Sequence, residues 1–121
     1  MPLSFKEQQI LEHIHRYCHE VKLALETFGY SKDEFAHNPV FLNSVSMPIA
    51  QIGELAKKFD DKFVRTYNHV PWKAIKGMRD IFVHDYHSMS KDFIWETAVR
   101  DIPDLSQQCE TILMANDVSI P

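Results

Sequence analysis

The chain has 121 residues, which suffices for one domain with a single hydrophobic core and is too short for two independent ones. With 45% hydrophobic and 25% charged residues it has the composition of an ordinary globular protein, which excludes a disordered or low-complexity chain. The formal net charge of −4 argues at first against a protein that binds phosphates.

Features that would direct the chain out of the cytoplasm are not found in the sequence. No apolar run approaches the ~18 residues that a membrane span needs. The N-terminus, MPLSFKEQQ, lacks a basic region followed by a hydrophobic stretch. Cys18 and Cys109 show neither CxxC spacing nor a disulfide framework, and we expect buried, reduced thiols. These features predict a cytoplasmic protein without membrane contact.

The charge is distributed unevenly along the chain. The segment Lys57–Arg79 contains seven basic residues against Asp60 and Asp61, a local charge of +5, whereas the remainder has six basic and fifteen acidic residues, or −9. A solvated helix face would explain part of this pattern. Steering of an anionic substrate would explain it as well.

The first predicted helix runs from about Phe5 to Phe28, where Gly29 ends it. Ser31 and Glu34 form a capping-box pattern for a short helical turn that continues through His37. Apolar residues at steps of three and four mark the buried face of the first helix: Ile10, Ile14, Tyr17, Val21, Ala24 and Phe28.

Asn38 followed by Pro39 predicts the start of a second long helix that ends at about Tyr67. Pro48 lies inside this run and removes one backbone hydrogen bond, so we expect the helix to bend or restart there. The apolar face of this kinked helix comprises Phe41, Val45, Ile49, Ile52, Ala56, Phe59 and Phe63.

Asn68 or His69, followed by Pro71, predicts a further helix to about His84, and Ser90 is predicted to cap the last helical segment. Pro103 should break or bend that segment before it resumes to about Asn116. Its apolar positions are Phe93, Ile94, Ala98, Ile102, Leu105, Cys109, Ile112 and Leu113. These patterns predict a single all-α domain over 1–121, an antiparallel bundle of four to five helices.

The predicted helix that ends at about His84, the fourth in the chain, carries a group of polar side chains. Its face comprises Trp72, Ile75, Arg79, Phe82, Val83 and Tyr86. A guanidinium among apolar neighbours needs a carboxylate, a phosphate or an aqueous cleft, so a salt bridge within the bundle is one explanation of Arg79. His84 lies five residues beyond, and Asp80 is spaced to orient the imidazole and favour its protonated form. A histidine beside a fixed cation can support phosphodiester cleavage without a metal.

The segments VPWKAIKGMRDIFVHDYHSMSKDFIWETAVRDIPDL and IAQIGELAKKF resemble the HepT-like group of HEPN-domain proteins, and the similarity spans essentially the whole chain. The family signature is Arg, four residues, His, any residue, Tyr, and it is matched here by Arg79, His84 and Tyr86. The residue after the arginine is often Asn in relatives and is Asp80 here. This departure adds a negative charge near the expected phosphate site.

The resemblance implies a ribonuclease toxin of a HEPN/MNT toxin-antitoxin pair, whose antitoxin is a minimal nucleotidyltransferase. It also implies a HEPN-like homodimer in which the two motifs face each other, and it makes Tyr86 the candidate acceptor of AMP. With the RNA 2′-hydroxyl as nucleophile, one His84 would act as base and the other as acid, and the product would carry a 2′,3′-cyclic phosphate. Lys73 and Lys76 are candidate RNA contacts.

No cofactor or metal is expected. His15 and His19 are four residues apart and His84 and His87 three apart, spacings that can hold a metal, but no third ligand stands at a convincing spacing. We expect His15 and His19 on the exposed polar face of the first helix.

Two other functions remain open at this stage. The chain could be a non-catalytic helical subunit of a split nucleotidyltransferase that binds a nucleotide or nucleic acid, which shares this bundle fold. It could also be a plain dimerisation module with an interface network of salt bridges, although this leaves the basic segment without a role.

Overall fold

The structure is a computed structural model that describes residues 2–80 and 91–120. Over these residues every regular element is helical, which confirms the all-α prediction. No helix among the described residues is long and apolar enough to cross a lipid bilayer. The elements are α1 (Phe5–Thr27), α2 (Lys32–His37), α3 (Pro39–Ala56), α4 (Asp61–Thr66), α5 (Trp72–Gly77), α6 (Lys91–Glu96), a π-helical segment (Thr97–Asp101) and α7 (Ile102–Ala115).

Helix α1 is the centre of the bundle and packs against both α3 and α7. Ile14 and Val21 of α1 are fully buried, as the apolar stripe predicts. Aromatic side chains fill the ends of the core: Phe28 stacks on Phe41 with ring centroids 4.4 Å apart, and Phe59 stacks on Phe63 at 3.9 Å. Burial of these large rings supplies much of the hydrophobic stabilisation.

The ends of α1 are fixed by local hydrogen bonds. Ser4 and Glu7 form a capping box at its start. At its end the Gly29 amide donates to the Glu26 carbonyl and the Tyr30 amide to the Leu25 carbonyl, which is a Schellman motif. Gly29 has φ +65°, the left-handed conformation that glycine adopts without strain. The predicted end at Gly29 is thus confirmed.

The short helix α2 follows directly, and the start of α3 is also as predicted. Ser31 Oγ accepts from the Glu34 amide at 3.1 Å, and Asn38 Oδ1 accepts from the Val40 amide at 2.9 Å. The Glu34 carboxylate accepts from the Asn38 side chain at 2.8 Å. Side-chain caps of this kind satisfy amides that lack a partner inside the helix.

The prediction that this helix extends to about Tyr67 is wrong, and the bend at Pro48 stays a prediction. Helix α3 continues past Pro48 and ends at Ala56. The Lys58 amide then donates to Leu55 in a tightened turn, and Asp60 Oδ1 accepts from the Phe63 amide at 2.9 Å to begin α4. The apolar repeat stays in phase across this break, so periodicity alone could not reveal it.

The start of α5 also differs from the prediction. Pro71, and not Asn68 or His69, is the cap residue, and no side chain caps the helix. The indole of Trp72 donates instead to the Tyr67 carbonyl at 3.0 Å. Helix α5 ends at Gly77; of its predicted extension to His84, residues 81–84 lie outside the described part of the chain.

Two corrections concern the last segment, whose predicted cap Ser90 also lies outside the described residues. Phe93 is 59% exposed and does not share the apolar face. Pro103 falls in the first turn of α7, and the expected break takes the form of the π-helical segment, where the Ile102 amide donates to Thr97. Helix α7 then ends one residue before Asn116, as predicted.

Candidate active site

Arg79 lies in the turn after α5. The backbone of this turn packs directly against α3 at Gly53. A methyl group added at Gly53 would overlap the Arg79 amide nitrogen and would lie 3.0 Å from the Met78 carbonyl carbon and 3.1 Å from the Arg79 Cα atom. Only a residue without a side chain lets the two backbones approach so closely. The position of Arg79 is therefore set by the last turn of a different helix.

The Arg79 side chain is 30% exposed and lies between two carboxylates. Its Nη1 is 3.6 Å from Glu54 Oε1, and its Nε is 3.8 Å from Asp80 Oδ1. Both distances exceed the ~2.7–2.9 Å of a charge-assisted hydrogen bond. Arg79 is thus held near acidic groups at the surface without a tight ion pair to either of them.

Of the predicted catalytic residues, the structure brings Arg79 and Asp80 together. The Asp80 side chain is 46% exposed, so its carboxylate is accessible to water. His84 and Tyr86 lie outside the described residues, and the expected contacts between Asp80 and His84 remain a prediction. The salt bridge considered as an alternative for Arg79 is present only in the loose form just described.

The apolar residues predicted on α5 are buried, whereas its predicted basic residues reach the solvent. Trp72 and Ile75 are buried, as expected for the packing face. Lys73 is exposed and Lys76 half-buried, which places both at the solvent side of α5, just before Arg79. The other basic residues of the segment 57–79 are exposed as well: Lys57, Lys58, Lys62 and Arg65.

Sequence reasoning missed two residues of this site. Gly53 positions the Arg79 backbone, and Glu54 supplies a carboxylate beside the guanidinium. A glycine inside an apolar helical run signals close packing, and this signal was available in IAQIGELAKKF. The sequence does not indicate a role for Glu54, because Glu54 approaches Arg79 only when α3 packs against the turn after α5.

The buried thiols do not contribute to the site. Cys18 and Cys109 are free and buried, as predicted. Burial raises the pKa of Cys18 from 9.0 to about 12 and raises the pKa of Cys109 further. Both thiols therefore stay protonated at neutral pH and are poor nucleophiles.

One histidine prediction needs correction. His19 is exposed as expected, but the His15 side chain is only 20% exposed, and its Nε2 lies 2.9 Å from Glu110 Oε1 of α7. The contact was invisible in the sequence because α1 and α7 are distant along the chain. Within the described residues, no group of three histidine, cysteine or acidic side chains is arranged to hold a metal ion.

Comparison with known proteins identifies a matching family model and relatives of the chain. Residues 8–112 match the family model described as "Ribonuclease HepT-like". "Putative RNase TTE0752" of Caldanaerobacter subterraneus subsp. tengcongensis is 36% identical over 103 residues, which cover 85% of this chain and 90% of that protein. "Putative RNase MJ0125" of Methanocaldococcus jannaschii is 33% identical over 92 residues, 73% of this chain and 79% of that protein.

A shorter match of 61 residues, 33% identical, is to "Probable ribonuclease HepT" of Thermococcus cleftensis, and it covers 50% of this chain and 56% of that protein. No solved structure is significantly similar to the chain.

Proposed function

The chain belongs to the HepT-like ribonuclease family, and from this premise we propose that it is a metal-independent endoribonuclease that acts as the toxin of a HEPN/MNT toxin-antitoxin pair. The single observation that carries the proposal is the setting of Arg79, whose backbone is seated on Gly53 while its partly exposed guanidinium lies at the surface. A cation in a fixed position is what the charge of a phosphoryl transition state requires.

Arg79 would bind the scissile phosphate. Its ion-pair distances of 3.6 and 3.8 Å leave room for a phosphate to compete with Glu54 and Asp80 for the guanidinium. Phosphate oxygens can accept two parallel hydrogen bonds from an arginine, which gives both strength and orientation. Lys73 and Lys76 would contact the neighbouring phosphates of the strand.

His84 would move the protons. In the proposed reaction one imidazole takes the proton of the RNA 2′-hydroxyl, the bond between O2′ and phosphorus forms, and the bond between phosphorus and O5′ breaks. A second imidazole gives its proton to O5′, and a 2′,3′-cyclic phosphate remains. Asp80 would orient His84. Two imidazoles require two copies of the chain, so we propose that the active form is a two-fold homodimer with a shared site.

The cognate nucleotidyltransferase would silence the toxin through Tyr86. The phenol oxygen would attack the α-phosphorus of ATP, AMP would become attached to Tyr86, and pyrophosphate would leave. The added adenylate would bring negative charge to a site that must bind a phosphate. Electrostatic repulsion and steric blockage would then both oppose RNA binding.

Cleavage of a single-stranded RNA in EDTA tests the nuclease. Arg79→Ala should reduce the rate about 10²- to 10³-fold, and His84→Ala about 10²- to 10⁴-fold. Arg100→Ala is the matched control, because Arg100 is an exposed arginine with an ion pair to Glu96 at 3.5 Å. DNA of the same sequence should not be cut, and the RNA product should be a cyclic phosphate by mass spectrometry.

Firm RNA binding by the wild type without any product would reject the nuclease and favour the non-catalytic nucleotidyltransferase subunit. The dimer is tested by dilution, since a shared site predicts a specific activity that falls as the chain concentration drops below the dimer dissociation constant. For the regulation, incubation with the partner enzyme and ATP should add AMP to the wild type and not to Tyr86→Phe. Adenylate found on any other residue would refute the role of Tyr86.

A further inference from the structure

A second polar site lies in a groove between α1 and α7, which we call the α1 groove. It consists of two adjoining cavities of about 580 Å³ and 460 Å³ that share His15, His19 and Ile120 as lining residues. Volumes of this size are typical of ligand sites in proteins. Of the residues assigned to the Arg79 site that lie within 2–80 and 91–120, none lines either cavity.

The α1 wall of the groove carries a row of basic side chains. His15, His19 and Lys22 are spaced by four and three residues. The two histidines line both cavities, Lys22 lines the smaller one and Arg16 the larger one. From His15 to Lys22 the helix rises about 10 Å, so the row extends beyond the reach of one phosphate. This concentration of basic groups stands out because the chain outside the segment 57–79 is strongly acidic.

Two carboxylates also line the groove, and each has a hydrogen-bonding partner. Glu110 faces His15 at 2.9 Å, and Glu12 accepts a hydrogen bond from Gln8 at 3.2 Å. Neither Arg16 nor Lys22 forms an ion pair with a described residue. Their charges are therefore available to an anionic ligand.

An aromatic ring lies at one end of the groove. Tyr30 lines the smaller cavity and is 50% exposed. Its backbone has φ +56°, a conformation that is uncommon for a bulky residue and costs about 1–3 kcal/mol. Tyr30 follows Gly29, so two consecutive left-handed residues place the ring there. An exposed aromatic side chain beside a row of basic residues is typical of a surface that stacks bases.

We propose that the α1 groove binds a single-stranded stretch of RNA outside the cleavage site, with Arg16, His19 and Lys22 at its phosphates and Tyr30 stacked on a base. The choice of RNA as the ligand rests on the proposed ribonuclease function. The combination of a basic row and a stacking ring is what single strands require, because every base has a π-face and every nucleotide a phosphate.

Binding of a fluorescent single-stranded RNA to the His84→Ala protein tests this site without cleavage. The double variant Arg16→Ala/Lys22→Ala should bind at least tenfold more weakly, and the slope of log affinity against log salt should become shallower by about 1.4, or ~0.7 per lost phosphate contact. The matched control is Lys6→Ala/Arg100→Ala, which removes the same charge from exposed positions outside the groove.

Tyr30→Ala should weaken binding by about fivefold to a hundredfold, whereas Tyr30→Phe, which keeps the ring, should bind as the parent does. Circular dichroism of each variant checks that the bundle is folded. Equal affinities of the groove double variant and its control would overturn the proposal. Full competition by AMP alone, with an unchanged salt slope for RNA, would also overturn it and would indicate a nucleotide site.

The proposed RNA site in the α1 groove and the proposed nuclease function can be refuted independently. If the wild type does not cleave RNA in EDTA but the groove variants still lose RNA affinity, the proposed function fails and the groove stands. If the wild type cleaves and the groove variants bind like their control, the groove fails and the function stands.

Discussion

Gly53 and Arg79 are in backbone contact: the α carbon of Gly53 in α3 lies so close to the turn after α5 that a β carbon there would overlap the Arg79 amide nitrogen. The residue that is expected to bind phosphate is therefore held by a residue 26 positions earlier in the chain. The precision of the site depends on this close approach, because an error of about 1 Å in a catalytic group can cost 10²-fold in rate.

Gly53→Ala is predicted to destabilise the protein and to impair cleavage. The overlap must push the Arg79 turn away from α3 at a cost of about 1–3 kcal/mol. Urea unfolding gives the free energy, and RNA cleavage should fall at least tenfold under conditions where the variant remains folded. Gly77→Ala is the control: a β carbon added at Gly77 would meet nothing within 4 Å, and the helical backbone there should gain ~0.4–1 kcal/mol. Equal stabilities of the two variants would refute the role of Gly53.

Glu54→Gln is predicted to increase the affinity for RNA. Glu54 competes with a phosphate for Arg79 across 3.6 Å, and loss of its charge should raise the affinity about two- to fivefold at low salt. The gain should shrink at 0.5 M salt, because exposed charges are screened. Glu96→Gln removes the corresponding carboxylate of the Arg100 pair and should leave the affinity unchanged. Fluorescence anisotropy with the His84→Ala protein measures both, and weaker binding by Glu54→Gln would contradict the proposed competition.

Because the two thiols are buried, we expect the free energy of unfolding to decrease at alkaline pH. Because burial raises the pKa of Cys18 from 9.0 to about 12, the folded chain keeps this proton above pH 9 while the unfolded chain releases it. The unfolded state then binds fewer protons, so the free energy of unfolding falls as the pH rises through this window, by about 1.4 kcal/mol per pH unit for each thiol. Cys109 acts in the same direction.

Urea unfolding between pH 7 and 11 measures this slope. In Cys18→Ala/Cys109→Ala the part of the slope due to the thiols should disappear, while the contribution of the other groups remains as the baseline. An identical alkaline slope in the two proteins would show that the thiols titrate normally in the folded chain.

Tyr30→Asn is predicted to stabilise the fold. Asparagine tolerates the left-handed backbone better than tyrosine, and relief of φ +56° should add about 1 kcal/mol to the free energy of unfolding. Tyr30→Phe keeps the strain and should match the wild type. Thermal unfolding measures both variants, and a lower melting temperature for Tyr30→Asn would mean that packing of the ring outweighs the strain.

The fold could be predicted from the sequence wherever the information was local. The start and end of α1, the cap at Asn38 and the end of α7 follow from caps, glycine and a 3.6-residue repeat, which depend on neighbours within four residues. The break between Ala56 and Asp60 was missed because the apolar repeat stays in phase across it, although Asp60, which caps α4, is a local start signal in the sequence.

The sequence by itself also determined the family, because the resemblance extends over essentially the whole chain, and it contains Arg79, His84 and Tyr86 at the spacing of the family signature. Only the tertiary structure decided what surrounds Arg79 and His15. Glu54 reaches Arg79, and Glu110 reaches His15, because helices distant in the chain pack side by side. Contacts of this kind depend on the geometry of packed helices, which no local pattern encodes.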